Sequence, residues 1–143
     1  MIRYWSAIFL TIAASVVAPS LAGVAVVTPA VAGENIEAAG FATIGSPELA
    51  ERLADKDFVF INVHIPYEGE IEATDAFIPF DKIEENLGRL PADRSAAIVL
   101  YCRSGRMSEI AARELVELGF TEVSHLAGGM IEWERSGHPL SRK

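Results

Sequence analysis

The sequence predicts an α/β fold, a small parallel β-sheet flanked by helices, preceded by an N-terminal signal peptide or anchor. Three observations carry this expectation. Short apolar segments of strand length alternate with segments of helical periodicity, the pattern that parallel strands joined by crossover helices produce. Two of the strand segments, Phe58 to Val63 and Ala96 to Tyr101, lack apolar–polar alternation, as strands buried on both faces do. At 143 residues, half of them hydrophobic, the chain can bury one domain-sized core and no more. It shows no internal repeat and no low-complexity tract.

The elements follow in order. Residues 33–40 read as a loose leader, and Phe41 to Ile44 as a short strand. Ser46 followed by Pro47 marks a helix start, an N-cap and then proline at the first helical position; Glu48 to Ala54 completes that helix. Phe58 to Val63 is the first fully buried strand. Ile65 to Phe80 holds Pro66, Pro79, Gly69 and the acids Glu68, Glu70, Glu72 and Asp75, and reads as a solvated loop with a brief edge strand at Phe77-Ile78. Asp81 to Leu90 is expected to be one short helix, turning at Pro91-Ala92-Asp93. Ala97 to Tyr101 is the next buried strand. Met107, Ile110, Ala111, Leu115 and Leu118 then recur at helical spacing, with Glu109-Arg113 and Arg113-Glu117 as i,i+4 pairs on the polar side. Gly119 stands where a left-handed residue ends a helix. Thr121 to Leu126 is the last strand and Met130 to Ser136 the closing helix.

The first 32 residues differ in kind from the rest. Arg3 precedes a stretch from Tyr4 to Gly33 without any charge. Arg3, the apolar Ile8 to Val17 and the small-residue Pro29-Ala30-Val31-Ala32 match the three parts of an export signal. An uncleaved membrane anchor is the competing reading, since the apolar stretch is long enough to span. Pro19, Gly23, Pro29 and the alanine bias favour cleavage. Both readings place the domain, residues 41–140, outside the cytoplasmic membrane, in the periplasm or otherwise exported. Without residues 1–32 the twelve basic side chains lose Arg3 alone, leaving eleven against twenty acids, net −9. Such a surface disfavours nucleic acid and anionic membranes; small molecules or a basic protein suit it better.

Cys102 is the only cysteine. It cannot form an internal disulfide, so any covalent intermediate on it must be discharged by another molecule. It lies in Tyr101-Cys102-Arg103-Ser104-Gly105-Arg106-Met107-Ser108, between a buried strand and a helix N-terminus. Free backbone N–H groups, the positive helix end and two arginines favour the thiolate, which is the nucleophile. A lone cysteine is more often a buried structural residue; here the flanking arginines, serines and glycine argue against an apolar pocket.

These residues resemble the active loop of rhodanese-type sulfurtransferases. Leu126-Ala127-Gly128-Gly129-Met130-Ile131-Glu132-Trp133 resembles the family's glycine-pair-to-tryptophan element, and Phe58 to His64 its first well-defined buried strand. The resemblance implies that Cys102 attacks the outer sulfur of a donor, becomes a persulfide and passes the sulfur to a thiophilic acceptor. The donor would be a small sulfur-containing anion or a persulfide, the acceptor a thiol or a protein. No cofactor and no metal are implied. Backbone N–H groups from Arg103 to Ser108 would form an anion-binding nest around the sulfur, with Gly105 supplying a dihedral that other residues resist. The candidate substrate-binding residues are Arg103, Ser104, Gly105, Arg106, Met107 and Ser108. Either arginine would hold a donor oxygen, or else be a solvated loop charge. Ser108 would contact the sulfur or cap the helix.

The sequence departs from the family pattern at three places. Met107 stands where many members have an arginine, which bears on the identity of the donor. Asn62 and His64 replace an aspartate and an arginine that form structural salt bridges; they are candidate supports of the site through neutral hydrogen bonds, with acceptor binding or proton transfer as the other reading for His64. Cysteine phosphatases, the nearest rival, need an arginine six positions after the cysteine, where this chain has Ser108. His125 and His138 are isolated in the sequence and receive no role; Trp133 is expected in the core. The expected activity is a rhodanese-type sulfurtransferase. The alternative is a non-catalytic sulfur carrier, or an anion- or protein-binding module.

Overall fold

The structure is a computed structural model that describes residues 39–142. The signal or anchor over residues 1–32 lies outside the described residues, as does nearly all of the leader. Five strands, β1 (Ala42–Ile44), β2 (Val59–Asn62), β3 (Ala76–Phe77), β4 (Ile98–Tyr101) and β5 (Val123–Leu126), form one sheet in the order β1-β5-β4-β2-β3. Every pairing in it is parallel. Among the described residues three α-helices accompany it, α1 (Ser46–Ala54), α2 (Arg106–Glu117) and α3 (Gly129–Arg135).

The two unalternating segments become the central strands, and the reason is visible in β4. Ile98 and Leu100 pack into an apolar cluster with Ala111, Ala112 and Leu115 of α2. Val99 and Tyr101 pack into a second cluster on the opposite face, with Leu49 of α1 and Met130 and Trp133 of α3. Each strand face meets a helix layer, so every position must be apolar. The same period of two puts Cys102, one residue beyond β4, in the cluster beneath α2. Its exposure is 1%. The flanking polar residues do not keep the thiol out of apolar surroundings: they occupy the loop, while the strand's alternation aims the cysteine inward.

Other expectations are corrected locally. Ser46 is the first helical residue of α1 and Gly45 the N-cap, with no side-chain cap; the Ser46 hydroxyl is buried without a hydrogen-bond partner. The segment expected as a helix from Asp81 to Leu90 is a 3-10 helix, Glu84–Arg89, kinked at Asn86. The edge strand is Ala76–Phe77 rather than Phe77-Ile78. Helix α2 begins one residue early, at Arg106, and Gly119 after it is left-handed at φ 92°. Trp133 is buried as expected, and its Nε1–H donates to the carbonyl of Pro139 at 3.0 Å.

Candidate active site

The Cys102 loop runs from the C-terminal end of β4 to the start of α2, the crevice where parallel α/β sheets place their chemistry. Its shape is set by α3. The N–H of Met130 donates to the carbonyl of Cys102 at 2.9 Å, and that of Ile131 to the carbonyl of Arg103 at 3.0 Å. The first free donors of a short helix thus hold two loop carbonyls. In a trans peptide the N–H points opposite to its carbonyl, so the N–H groups of Arg103 and Ser104 face away from α3. The approach needs Gly129: a β-carbon there would overlap the Cys102 carbonyl oxygen and the Arg103 carbonyl, and its φ is +54°. Gly129 is therefore a docking requirement of the Cys102 loop.

Gly105 is the second pivot. At φ 96° it is the left-handed N-cap of α2, and its N–H donates to Cys102 Sγ at 3.1 Å. A dipole aimed at the sulfur together with the N-terminus of a twelve-residue helix stabilises charge on it. Ser108 does not cap the helix; α2 has no side-chain cap. Its hydroxyl, fully buried, donates back to the Gly105 carbonyl at 2.9 Å and lies 3.2 Å from His125 Nδ1. Ser108 sits behind the loop.

The remaining candidates separate. Arg103 is exposed and its Nε pairs with Glu68 Oε2 at 3.2 Å. Arg106, at the first position of α2, is exposed and has no ion pair among the described residues. Ser104 is exposed and Met107 half-buried against the core. A small cleft of about 150 Å³ beside the loop is lined by Arg103, Arg142, Glu68, Glu134 and Ile131, among others. Its arginines are already paired with its glutamates, so it is a poor anion site.

Asn62 is buried and fully employed: its Nδ2 donates to the Gly69 carbonyl at 2.8 Å, and its Oδ1 accepts from the His64 N–H at 3.0 Å. These neutral bonds tie the chain after β2. The His64 ring is 6% exposed, with neither nitrogen hydrogen-bonded; Nε2 lies 3.6 Å from Glu68 Oε2, the carboxylate oxygen that Arg103 also uses. The acidic loop is partly structural: Asp75 Oδ2 accepts from the Phe60 N–H and from Lys56. Tyr101, wholly buried, accepts from the Ile71 N–H at 3.0 Å and lies 2.8 Å from Thr74 Oγ1. Burial pushes its phenol up to about 12, against smaller lowering by Thr74 and Ile71.

One residue of the site had no sequence signal of its own. His125, 6% exposed on β5, contacts Ser108 from below. Burial holds its imidazole below the ordinary value. Its place beside the loop follows from strand order, which the sequence does not state.

Comparison with known proteins agrees with this geometry. A sulfurtransferase of Allochromatium vinosum is 36% identical over 100 residues, 68% of this chain and 92% of that protein. "Probable adenylyltransferase/sulfurtransferase MoeZ" of Mycobacterium tuberculosis is 35% identical over 76% of this chain, which matches only 29% of that longer protein. The crystal structure of a rhodanese-related protein from Thermoplasma volcanium superposes with a TM-score of 0.61 at 25% identity, covering 71% of this chain and 99% of that one. Residues 47–136 match the sequence profile of the Rhodanese-like domain, and this chain belongs to that family.

Proposed function

We propose that this chain is a sulfurtransferase in which Cys102 carries sulfane sulfur from a small anionic or persulfide donor to a thiophilic acceptor. The observation that supports it most is the Gly105 N–H on Cys102 Sγ at 3.1 Å, at the N-terminus of α2. With thiosulfate, the thiolate attacks the outer sulfur, the S–S bond breaks, and sulfite leaves with the bonding electrons. The persulfide keeps an anionic terminal sulfur, for which the loop's N–H groups are suited. Cyanide or a thiolate then attacks that sulfur, and the electron pair returns to Cys102. Arg106 is the cation better placed to attract the donor, because Arg103 is engaged by Glu68. Arg103, Ser104, Gly105, Arg106 and Met107 form the donor face in this reading, and Ser108 supports it from behind.

Thiosulfate:cyanide turnover by wild type and by Cys102→Ser tests the reading. Turnover should vanish in the variant, because a serine hydroxyl without a base is too weak a nucleophile. Stability should fall by about 1–3 kcal/mol, because the hydroxyl replaces a thiol buried in an apolar cluster, although the Gly105 N–H keeps an acceptor. Retained turnover overturns the assignment. A carrier without turnover would instead pass a stable sulfur adduct to a protein alone.

The proposed site of action is outside the cytoplasmic membrane. Arg3, the uncharged stretch after it and Pro29-Ala30-Val31-Ala32 support an export signal. N-terminal sequencing of native protein should give a start near Gly33; an intact Met1 on a soluble cytoplasmic protein contradicts it.

A further inference from the structure

His125 is joined by hydrogen bonds through Ser108 to Gly105, the residue whose N–H reaches Cys102. Thr43 Oγ1 lies 3.1 Å from His125 Nε2, and His125 Nδ1 lies 3.2 Å from Ser108 Oγ. Ser108 Oγ donates to the Gly105 carbonyl at 2.9 Å, and the Gly105 N–H donates to Cys102 Sγ at 3.1 Å. The direction of each link follows from counting protons. With the one Ser108 hydroxyl hydrogen given to Gly105, the Ser108 oxygen accepts from the ring; in that assignment His125 carries its proton on Nδ1 and Nε2 accepts from the Thr43 hydroxyl, which is the tautomer the test reads. Strand register fixes the outer link, because Thr43 and His125 are direct partners in β1 and β5.

We infer that His125 is a positioning residue for Cys102: from the floor of the sheet it fixes, through Ser108, the carbonyl of Gly105, and with it the dihedrals of the glycine whose N–H, on the preceding peptide, holds the reactive sulfur. Gly105 is the one loop residue at a left-handed dihedral leading into α2. Its carbonyl accepts from the Glu109 N–H at 3.0 Å, the first bond of α2, and from Ser108 at 2.9 Å, so Ser108 adds to the helix bond in holding that turn. This role rests on the sulfurtransferase reading for its purpose, and on the hydrogen bonds alone for its existence. The surroundings suit a neutral ring. The Phe41 and His125 rings meet in a T-shaped arrangement with centroids 5.5 Å apart. The charged groups that act on the ring are Glu109 and Arg113 of α2, of opposite sign. Burial is the dominant influence and lowers the imidazole pKa, so the single-proton tautomer persists at neutral pH.

The test uses the ¹⁵N-labelled full-length chain and NMR. Long-range ¹⁵N spectra should show the Nδ1–H tautomer for His125, identified by its loss in His125→Phe; an Nε2–H tautomer overturns the inference. Hydrogen exchange at the Gly105 amide is the second readout. It should quicken about fivefold in His125→Phe, the factor that one lost hydrogen bond of about 1 kcal/mol commands, while β4 amides stay as in wild type. His125→Asn, which keeps an amide donor on the Ser108 side, should restore most of the protection. Thr43→Val, on an exposed position, frees the ring to change tautomer and should quicken Gly105 exchange about threefold; it carries the test should His125→Phe fail to fold. Unchanged Gly105 exchange in these variants overturns the role, as does a rise matched at every β4 amide. None of these readouts involves sulfur chemistry. An inactive wild type would count against the sulfurtransferase alone, and an active one with unaltered exchange against His125 alone.

Discussion

Gly129→Ala should damage the protein far more than alanine at a left-handed glycine with open space around it, and the structure gives the size. A non-glycine residue at φ +54° costs roughly 1–2 kcal/mol. The added methyl overlaps the Cys102 and Arg103 carbonyls, so the loop must leave α3. The bonds from Met130 and Ile131 are then lost, at about 1 kcal/mol each. Together these reach about 3–4 kcal/mol, a large share of the stability of a domain this size, or on the order of 15 °C in Tm. Gly137 is the internal control. It also has a positive φ, +87°, but nothing lies within 4 Å of a β-carbon there, so Gly137→Ala should cost only the dihedral penalty, about 1 kcal/mol. Urea unfolding of both variants measures the difference, and sulfur transfer should collapse only in Gly129→Ala. Equal destabilisation of the two would refute the docking of the loop on α3 as the reason for a glycine at 129.

Two further outcomes follow. Arg106→Glu should slow iodoacetamide alkylation of Cys102 roughly threefold to tenfold, with a larger effect at low salt than at high salt; no change at any salt would show that Arg106 does not act on the site. Tyr101, with its phenol pushed up by burial to about 12, makes stability pH-dependent in one direction. Below pH 10 both folded and unfolded forms are neutral and stability is full; between about 10 and 12 the unfolded chain ionises first, and stability falls at about 1.4 kcal/mol per pH unit. Denaturant midpoints across that window should show the slope, and Tyr101→Phe should flatten it, at a lower starting stability because Ile71 and Thr74 lose their partner.

The sheet and the loop were legible in the sequence for a physical reason. Residues that must fill two packed faces, as in β2 and β4, cannot be polar, and the chain shows that directly. The Cys102 loop stands out because its glycine and charges interrupt an apolar strand at the point where a helix starts. The burial of the thiol was written there too: Ile98, Leu100 and Cys102 share one face by the period of two, a signal masked by the polar neighbours. The glycine pair was recognisable as a pattern, but its purpose appears only when α3 meets the loop. His125 was not legible as a site residue. Its neighbours Thr43 and Ser108 are 82 and 17 positions away, and only the order β1-β5-β4 brings all three together under Gly105. The kinked 3-10 helix at Asn86 likewise escaped a periodicity argument, which assumes regular turns.

The central claim is that Cys102 is where sulfur rests between donor and acceptor. Intact mass of the purified full-length protein after thiosulfate treatment measures it most directly. The account predicts a gain of one sulfur atom on wild type, removed by cyanide or a reducing thiol, and no gain on Cys102→Ser. An unchanged wild-type mass with either thiosulfate or a persulfide donor would contradict it, and so would a gain that survives in Cys102→Ser.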